Sequence, residues 1–293
     1  MSISVRRIND EQVKPVRFIN EVEDNRPIKG YNLFPEIYAN KFFCARKKSG
    51  KSCGIYHTIK HCATSETRVI AFVSTLRRDP TWTSIQALCK KMKVPFDGYT
   101  SIKDPETKED ILDAIVKTLE NESSESGLQH EEEEPSTQSI SQSVVQLMQN
   151  DTPQRMNKPK RPKERAPKII FIFDDLSGEL QTPSLTSLMK KNRQFKSKLI
   201  IASQYWNDVS LQARKQIDYV LLYRGLAQSM NKLEEIYKNC DLNVPFEIFV
   251  KLYSYCTAER FHFMWIDVVN SEFRKDFNLK LEIAEDEEED REA

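Results

Sequence analysis

Eight residues, Ala45 to Ser52 (ARKKSGKS), have the types and spacing of a phosphate-binding loop. In the pattern G-x-x-x-x-G-K-S/T, small residues let successive backbone N–H groups curl around phosphate oxygens. The Lys reaches the β- and γ-phosphates, and the hydroxyl ligates Mg²⁺. Gly50, Lys51 and Ser52 fit, Ser49 and Cys53 flank them, and Ala45 stands where the pattern opens on Gly. Ala45, Ser49, Gly50, Lys51, Ser52 and Cys53 are therefore the candidate nucleotide-binding residues. A second feature is the pair Asp174-Asp175, which closes the apolar run Lys168-Ile169-Ile170-Phe171-Ile172-Phe173. Beside a phosphate loop, the first carboxylate can hold Mg²⁺ and the second can position and polarise an attacking water. A third is Gln204, directly after Lys198-Leu199-Ile200-Ile201-Ala202-Ser203, where an amide could sense a γ-phosphate or orient the water. Taken singly, IIFIFDD also reads as a core strand ended by a turn Asp, and Gln204 as a turn residue. The loop upstream is what favours chemistry for the pair.

These groups can act together only if the elements carrying them converge. Lys41 to Cys44 reads as a buried strand ending at the loop, and Cys53 to Cys62 can run as a helix, whose N-terminus would face the phosphates. Cys53, His57 and His61 fall at helical spacing, but no second ligand pair accompanies them, so they read as helix surface and not as a zinc site. Further runs alternate between strand and helix character. Arg68–Ser74 is β-prone, Trp82–Lys93 helical, Asp97–Ile102 a weak strand, and Glu109–Leu119 an amphipathic helix. Pro183–Phe195 and Val209–Ile217 read as helices, Lys198–Ser203 and Tyr219–Tyr223 as strands. Apolar, non-alternating strands in β/α alternation predict an α/β fold, a mostly parallel sheet with helices on both faces. Ligands of such sheets bind at the carboxyl ends of the strands, which would gather Lys51, Asp174, Asp175 and Gln204 at one edge.

The 293 residues, 39% of them hydrophobic, suffice for one large core, and 44 basic against 44 acidic residues leave no net field to attract DNA or membrane. Any nucleic-acid contact must then come from a local patch. The start MSISVRRINDEQVK has no apolar core of a signal peptide, no run approaches bilayer length, and the six cysteines form no C-x-x-C pair. Buried free thiols in a reducing, intracellular compartment are the expectation. Residues 31–283 are expected to form one domain, preceded by an N-terminal arm (1–30) and followed by an acidic tail (284–293). Residues from about 121 to 167 are polar, with the acidic run Glu131–Glu134 and the basic run Lys158–Arg165, and read as an insertion with a short helix at Ser143–Met148. The basic run could touch DNA or serve as a linker.

The order of these motifs resembles a known family. A phosphate loop, a strand ending Phe-Val-Ser-Thr before Asp79-Pro80-Thr81-Trp82, IIFIFDDL, a basic helix, LIIASQ, and a Gln-Ala-Arg-Lys-Gln-Ile-Asp helix before YVLLYR follow one another. With Phe261–Asp267 and Phe273–Phe277 at the end, the chain is similar to the genome-packaging ATPases of the FtsK/HerA superfamily, found in poxvirus-like large DNA viruses and Polinton-type elements. The resemblance implies a P-loop NTPase of the RecA-like, additional-strand type that binds ATP and Mg²⁺. Lys51 and Ser52 would bind phosphates and Mg²⁺, Asp174 would complete the Mg²⁺ shell, and Asp175 would be the catalytic carboxylate where many relatives have Glu. Gln204 would be the sensor, and Arg193 or Arg214 would serve a neighbour's nucleotide in a homo-oligomeric ring. The implied partners are double-stranded DNA and capsid proteins, with no membrane, and the implied location is the host cytoplasm or nucleus, or the virion. The alternatives are another P-loop enzyme (GTPase or kinase), against which stands the lack of an N-K-x-D motif, or a non-catalytic capsid or DNA-binding protein keeping the fold.

Overall fold

The computed structural model describes residues 24–125, 164–226 and 230–283. The Ser143–Met148 segment, the basic run up to Lys163 and the acidic tail after Ile283 lie outside the described residues.

Six strands form the parallel part of a nine-stranded sheet: β1 (Asn40–Cys44), β2 (Arg68–Val73), β3 (Phe96–Tyr99), β4 (Ile169–Asp174), β5 (Ser197–Ser203) and β6 (Tyr219–Tyr223). Three more, β7 (Phe263–Asp267), β8 (Glu272–Lys275) and β9 (Leu279–Leu281), extend it antiparallel, giving the order β3-β2-β4-β5-β1-β6-β7-β8-β9. β5 pairs with both β1 and β4, so one strand separates the loop-bearing strand from the strand that ends in Asp174. That is the additional-strand arrangement, and the fold class is α/β as expected.

The apolar runs hide a period of two, because both sheet faces are covered. Phe42, Phe171, Phe173, Leu199 and Ile201 face one side. There they meet α3 (Ile111–Glu125), α4 (Pro183–Lys190), α6 (Met230–Cys240) and α7 (Phe246–Cys256). Phe43, Ile170, Ile172, Ile200 and Ala202 face the other, against α1 (Lys51–Cys62) and α2 (Pro80–Met92). Asp174 follows Ile170 and Ile172 in this alternation, so β4 delivers its carboxylate to the α1/α2 face.

Local chemistry sets where the helices begin and end. Asp79 caps α2 by accepting the Thr81 N–H at 2.8 Å, Pro80 occupies the first turn, and Lys93 ends the helix in the left-handed region at φ 58°. Gly54 lets α1 lie flat on the sheet, since a Cβ there would run into the Tyr223 hydroxyl and the Phe43 ring. The expected helix over Pro183–Phe195 stops at Lys190: turns follow, and Lys196 at φ 50° redirects the chain into β5. The expected helix over Val209–Ile217 contracts to α5 (Leu211–Arg214), capped by the Ser210 hydroxyl, after a 3₁₀ turn at Trp206–Asp208. Helix α3 runs on to Glu125, and Arg165 forms a bridge with Ile28, so both ends of the expected insertion are built into the domain. Of the six free cysteines, five are buried and Cys53 is exposed.

At the amino edge, the Asn40 N–H donates to Asp218 Oδ2 at 2.7 Å and the Asp218 N–H donates back to the Asn40 carbonyl at 2.9 Å. Burial pushes the Asp218 carboxyl up to about 6, with the Asn40 N–H pulling the other way. A carboxyl raised on folding stabilises most below its unfolded pKa, and that contribution is lost as pH rises from about 4 to about 6. Asp218→Asn keeps an acceptor and removes the titration. It is expected to gain about 1–2 kcal/mol over the native chain at pH 7.5 and nearly nothing at pH 4, read by urea unfolding at both.

Candidate nucleotide-binding site

The loop between β1 and α1 is anchored at its first residue. Ala45 is buried and its N–H donates to the Ser203 carbonyl at 3.0 Å, which extends the β1–β5 ladder by one residue. A methyl fits there, so the missing Gly costs no backbone geometry. The loop then turns at Lys48 (φ 63°), and the Ser49 hydroxyl donates to the Arg46 carbonyl at 2.6 Å. Gly50 enters the helix at φ 100°, a conformation that L side chains rarely adopt. Its carbonyl accepts the Cys53 and Gly54 N–H groups at 3.0 and 3.2 Å. The preceding N–H groups at the start of α1 are left for another acceptor, and its first turn has no acidic residue to repel an anion.

Lys51 leaves this turn toward the end of β4. Its Nζ lies 2.8 Å from Asp174 Oδ1 and 2.5 Å from Asp175 Oδ1, so one ammonium bridges both carboxylates. Burial lowers the ammonium's pKa, but Asp174 and then Asp175 outweigh it, and Lys51 is held as a cation. Asp174 is almost fully buried, and burial pushes its carboxyl up, only partly offset by Lys51. Its other oxygen, Oδ2, accepts the Trp82 indole N–H at 3.2 Å, so α2 fixes the carboxylate's rotation. Asp175 sits just past β4 in the left-handed region at φ 54°, which Asp tolerates better than most residues, and remains about one-third exposed. That turn aims its carboxylate back toward the loop instead of along the strand.

Between the loop and the β2–α2 connection lies a cleft of about 670 Å³. Six of its fifteen lining residues are cationic (Arg46, Lys47, Lys48, Lys51, Arg78, Arg260) and two acidic (Asp79, Asp175), a balance suited to a polyphosphate. Ser52 and Cys53 line it from the first turn of α1.

Solved structures similar in overall shape include the genome-packaging NTPase B204 of Sulfolobus turreted icosahedral virus 2 in complex with AMP, at 15% identity and TM-score 0.49, covering 82% of this chain and 98% of that one. B204 described as the DNA-packaging ATPase of Sulfolobus turreted icosahedral virus matches at 16% and TM-score 0.47, over 81% and 96%. The cytoplasmic domain of the type VII secretion ATPase EccC of Thermomonospora curvata matches at 13% and 0.38, over 78% of this chain and 24% of that one. No family model and no curated protein matches the sequence.

The other expected site residues are dispersed. Gln204 stands at the carboxyl edge but lines a separate cleft of about 210 Å³ with Tyr205, Trp206, Lys232 and Glu235. The Ser203 hydroxyl bonded to the Asp208 carboxylate draws the chain after β5 toward the α6 side. Arg214 is largely buried, its Nη1 3.2 Å from Glu235 and 2.8 Å from Asn207 Oδ1. Arg193 precedes β5 and lies at the amino edge, opposite the phosphate loop, exposed and 3.5 Å from Glu36. Residues of the site not singled out from sequence include Trp82, which fixes Asp174, the cationic lining residues Arg46, Lys47, Lys48 and Arg78, and Arg260 and Phe261, which reach the cleft from just before β7. The His57 and His61 rings stack at 6.1 Å on the α1 surface, and among the described residues no acidic, His or Cys cluster has metal-site geometry.

Proposed function

We propose that the chain is an ATP-hydrolysing motor that moves double-stranded DNA into a capsid. The observation that carries the ATPase part is the Lys51 ammonium shared between Asp174 and Asp175 at the mouth of a cationic cleft. This brings a loop lysine that can bind phosphates beside an acidic residue that can hold Mg²⁺, the two parts that phosphoryl transfer at such loops combines.

Lys51 exchanges its Asp175 contact for β- and γ-phosphate oxygens, and the N–H groups at the start of α1 donate to the remaining phosphate oxygens. Freed of the ammonium, Asp175 orients an attacking water and draws its proton. Mg²⁺ fits beside them: the buried Asp174 Oδ1 meets the Lys51 ammonium at 2.8 Å and no other partner among the described residues, so it keeps a lone pair that would face a hydrated cation, and the Ser52 hydroxyl would be the direct ligand. The ion would neutralise charge between the β- and γ-phosphates. Gln204 lines the neighbouring cleft, so a sensor role for it would be indirect, through the end of β5. Of the two arginines offered to a neighbour in a ring, Arg193 is the freer, because Arg214 is held by Glu235 and Asn207.

The DNA and capsid assignment rests on the motif order from the loop to the C-terminal strands. DNA would be held through phosphates, as in a sequence-independent grip. A triplex-displacement assay tests it. The native chain with ATP is expected to strip a third strand from a DNA duplex, with a rate that falls steeply between 50 and 200 mM salt. ATP hydrolysis without displacement at any salt would refute the motor and leave a simple ATPase.

A further inference from the structure

We infer that Phe261, backed by Arg260, is the platform on which the nucleotide base stacks; this rests on the nucleotide reading of the same cleft. Phe261 is the one aromatic among the described residues lining the cleft. It is 60% exposed, although a large apolar ring on a turn between two packed elements would ordinarily bury itself. A Cβ at Gly50 would lie 3.4 Å from its Cδ1, so the ring stands against the opening of the phosphate loop.

The turn that presents the ring is built and strained. Phe261 itself is held at φ 71°, unfavourable for a bulky residue. On its C-terminal side, His262 Nδ1 lies 2.6 Å from Asp276 Oδ2, and the Phe263 N–H donates to Asp276 Oδ1 at 3.2 Å. The Asp276 N–H donates back to the Phe263 carbonyl at 3.0 Å. On its N-terminal side, the Arg260 guanidinium lies 5.3 Å from the Phe261 ring centroid. A flexible turn could fold the ring into the core; this one keeps it in the cleft.

Sheet order fixes which end of the ligand meets it. The reacting phosphate must lie near Asp175, which follows β4 on one side of β1. Phe261 precedes β7, on the other side of β1 beyond β6. A nucleotide with its terminal phosphate at Asp175 therefore extends its base toward Phe261, while Arg260 adds a cation beside the ring. Stacking on an aromatic is tolerant of base identity, since every base has a π-face. This site would thus favour nucleotides over bare polyphosphate more strongly than it favours ATP over other nucleoside triphosphates.

Calorimetric titration with ATP and with inorganic tripolyphosphate, both with Mg²⁺, tests this on the native chain, Phe261→Ala and Phe261→Trp. The native chain is expected to bind ATP about tenfold more tightly than tripolyphosphate. Phe261→Ala is expected to erase most of that ratio while leaving tripolyphosphate affinity within about twofold, and Phe261→Trp to preserve it. An unchanged ratio in Phe261→Ala, or an equal loss for both ligands, would overturn the stacking role and leave the phosphate site intact. If the native chain binds neither ligand, the nucleotide reading falls and takes this inference with it.

Discussion

Lys51→Ala is expected to lower ATP hydrolysis by about two to three orders of magnitude, the loss seen when one preorganised transition-state donor is removed. The same substitution should also disturb the fold, and the two effects separate. In the native chain the ammonium satisfies a nearly buried Asp174 and a partly exposed Asp175 at once. Its removal leaves the Asp174 carboxylate buried with only the Trp82 N–H, at a cost of about 3 kcal/mol by the rule for breaking a buried pair. Asp174 then takes up a proton more readily still, because burial already pushes it up and the offset from Lys51 is gone. The double variant Lys51→Ala with Asp174→Asn should recover most of the stability and none of the turnover. Denaturant unfolding read beside steady-state hydrolysis distinguishes the roles; recovery of activity in the double variant would show that Lys51 is structural.

Asp175→Asn separates binding from chemistry. The backbone at 175 is left-handed, and Asn tolerates that conformation as well as Asp does, so the turn should survive. With about a third of the side chain exposed, the stability cost should stay below about 1 kcal/mol. The amide cannot accept the water's proton, so hydrolysis should fall about 10²- to 10⁴-fold. Binding should move the opposite way. A negative charge beside incoming phosphates is removed and Lys51 loses a competitor for its ammonium, so ATP affinity should hold or rise a few-fold. Parallel loss of affinity and turnover would instead make Asp175 a structural partner of Lys51. The left-handed backbone at 175 is a local reason that Asp suits this chain, since Asp adopts that region more readily than most residues.

The parts of this site legible from sequence are those written in contiguous residues. Phosphate-loop spacing, an apolar strand running into two acids, and buried parallel strands are each local patterns, and the structure puts Lys51, Asp174 and Asp175 within ion-pair distance. What escaped depends on turns and distant pairings. Gln204 ends the right strand at the right edge, but a single hydroxyl–carboxylate contact at Ser203 directs the chain after it into another cleft. Phe261 and Arg260 are remote in sequence from the loop and reach it because β7 reverses direction beside β6. The strands β8 and β9 (EFRK and LKL) are too short and too charged to announce themselves by pattern. Helix α6 carries apolar Leu233 and Ile236 in a polar segment that only the folded core makes visible.

Whether this loop and acidic pair split ATP is read from release of inorganic phosphate from ATP in the presence of Mg²⁺ and linear duplex DNA. Native protein and Asp175→Asn should be matched for folded fraction and for measured ATP occupancy. Steady phosphate release is expected from the native chain, and about a hundredfold less or lower still from Asp175→Asn at equal occupancy. Phosphate release that is equal in the two, or absent from a native chain saturated with ATP and DNA, would contradict hydrolysis at this site.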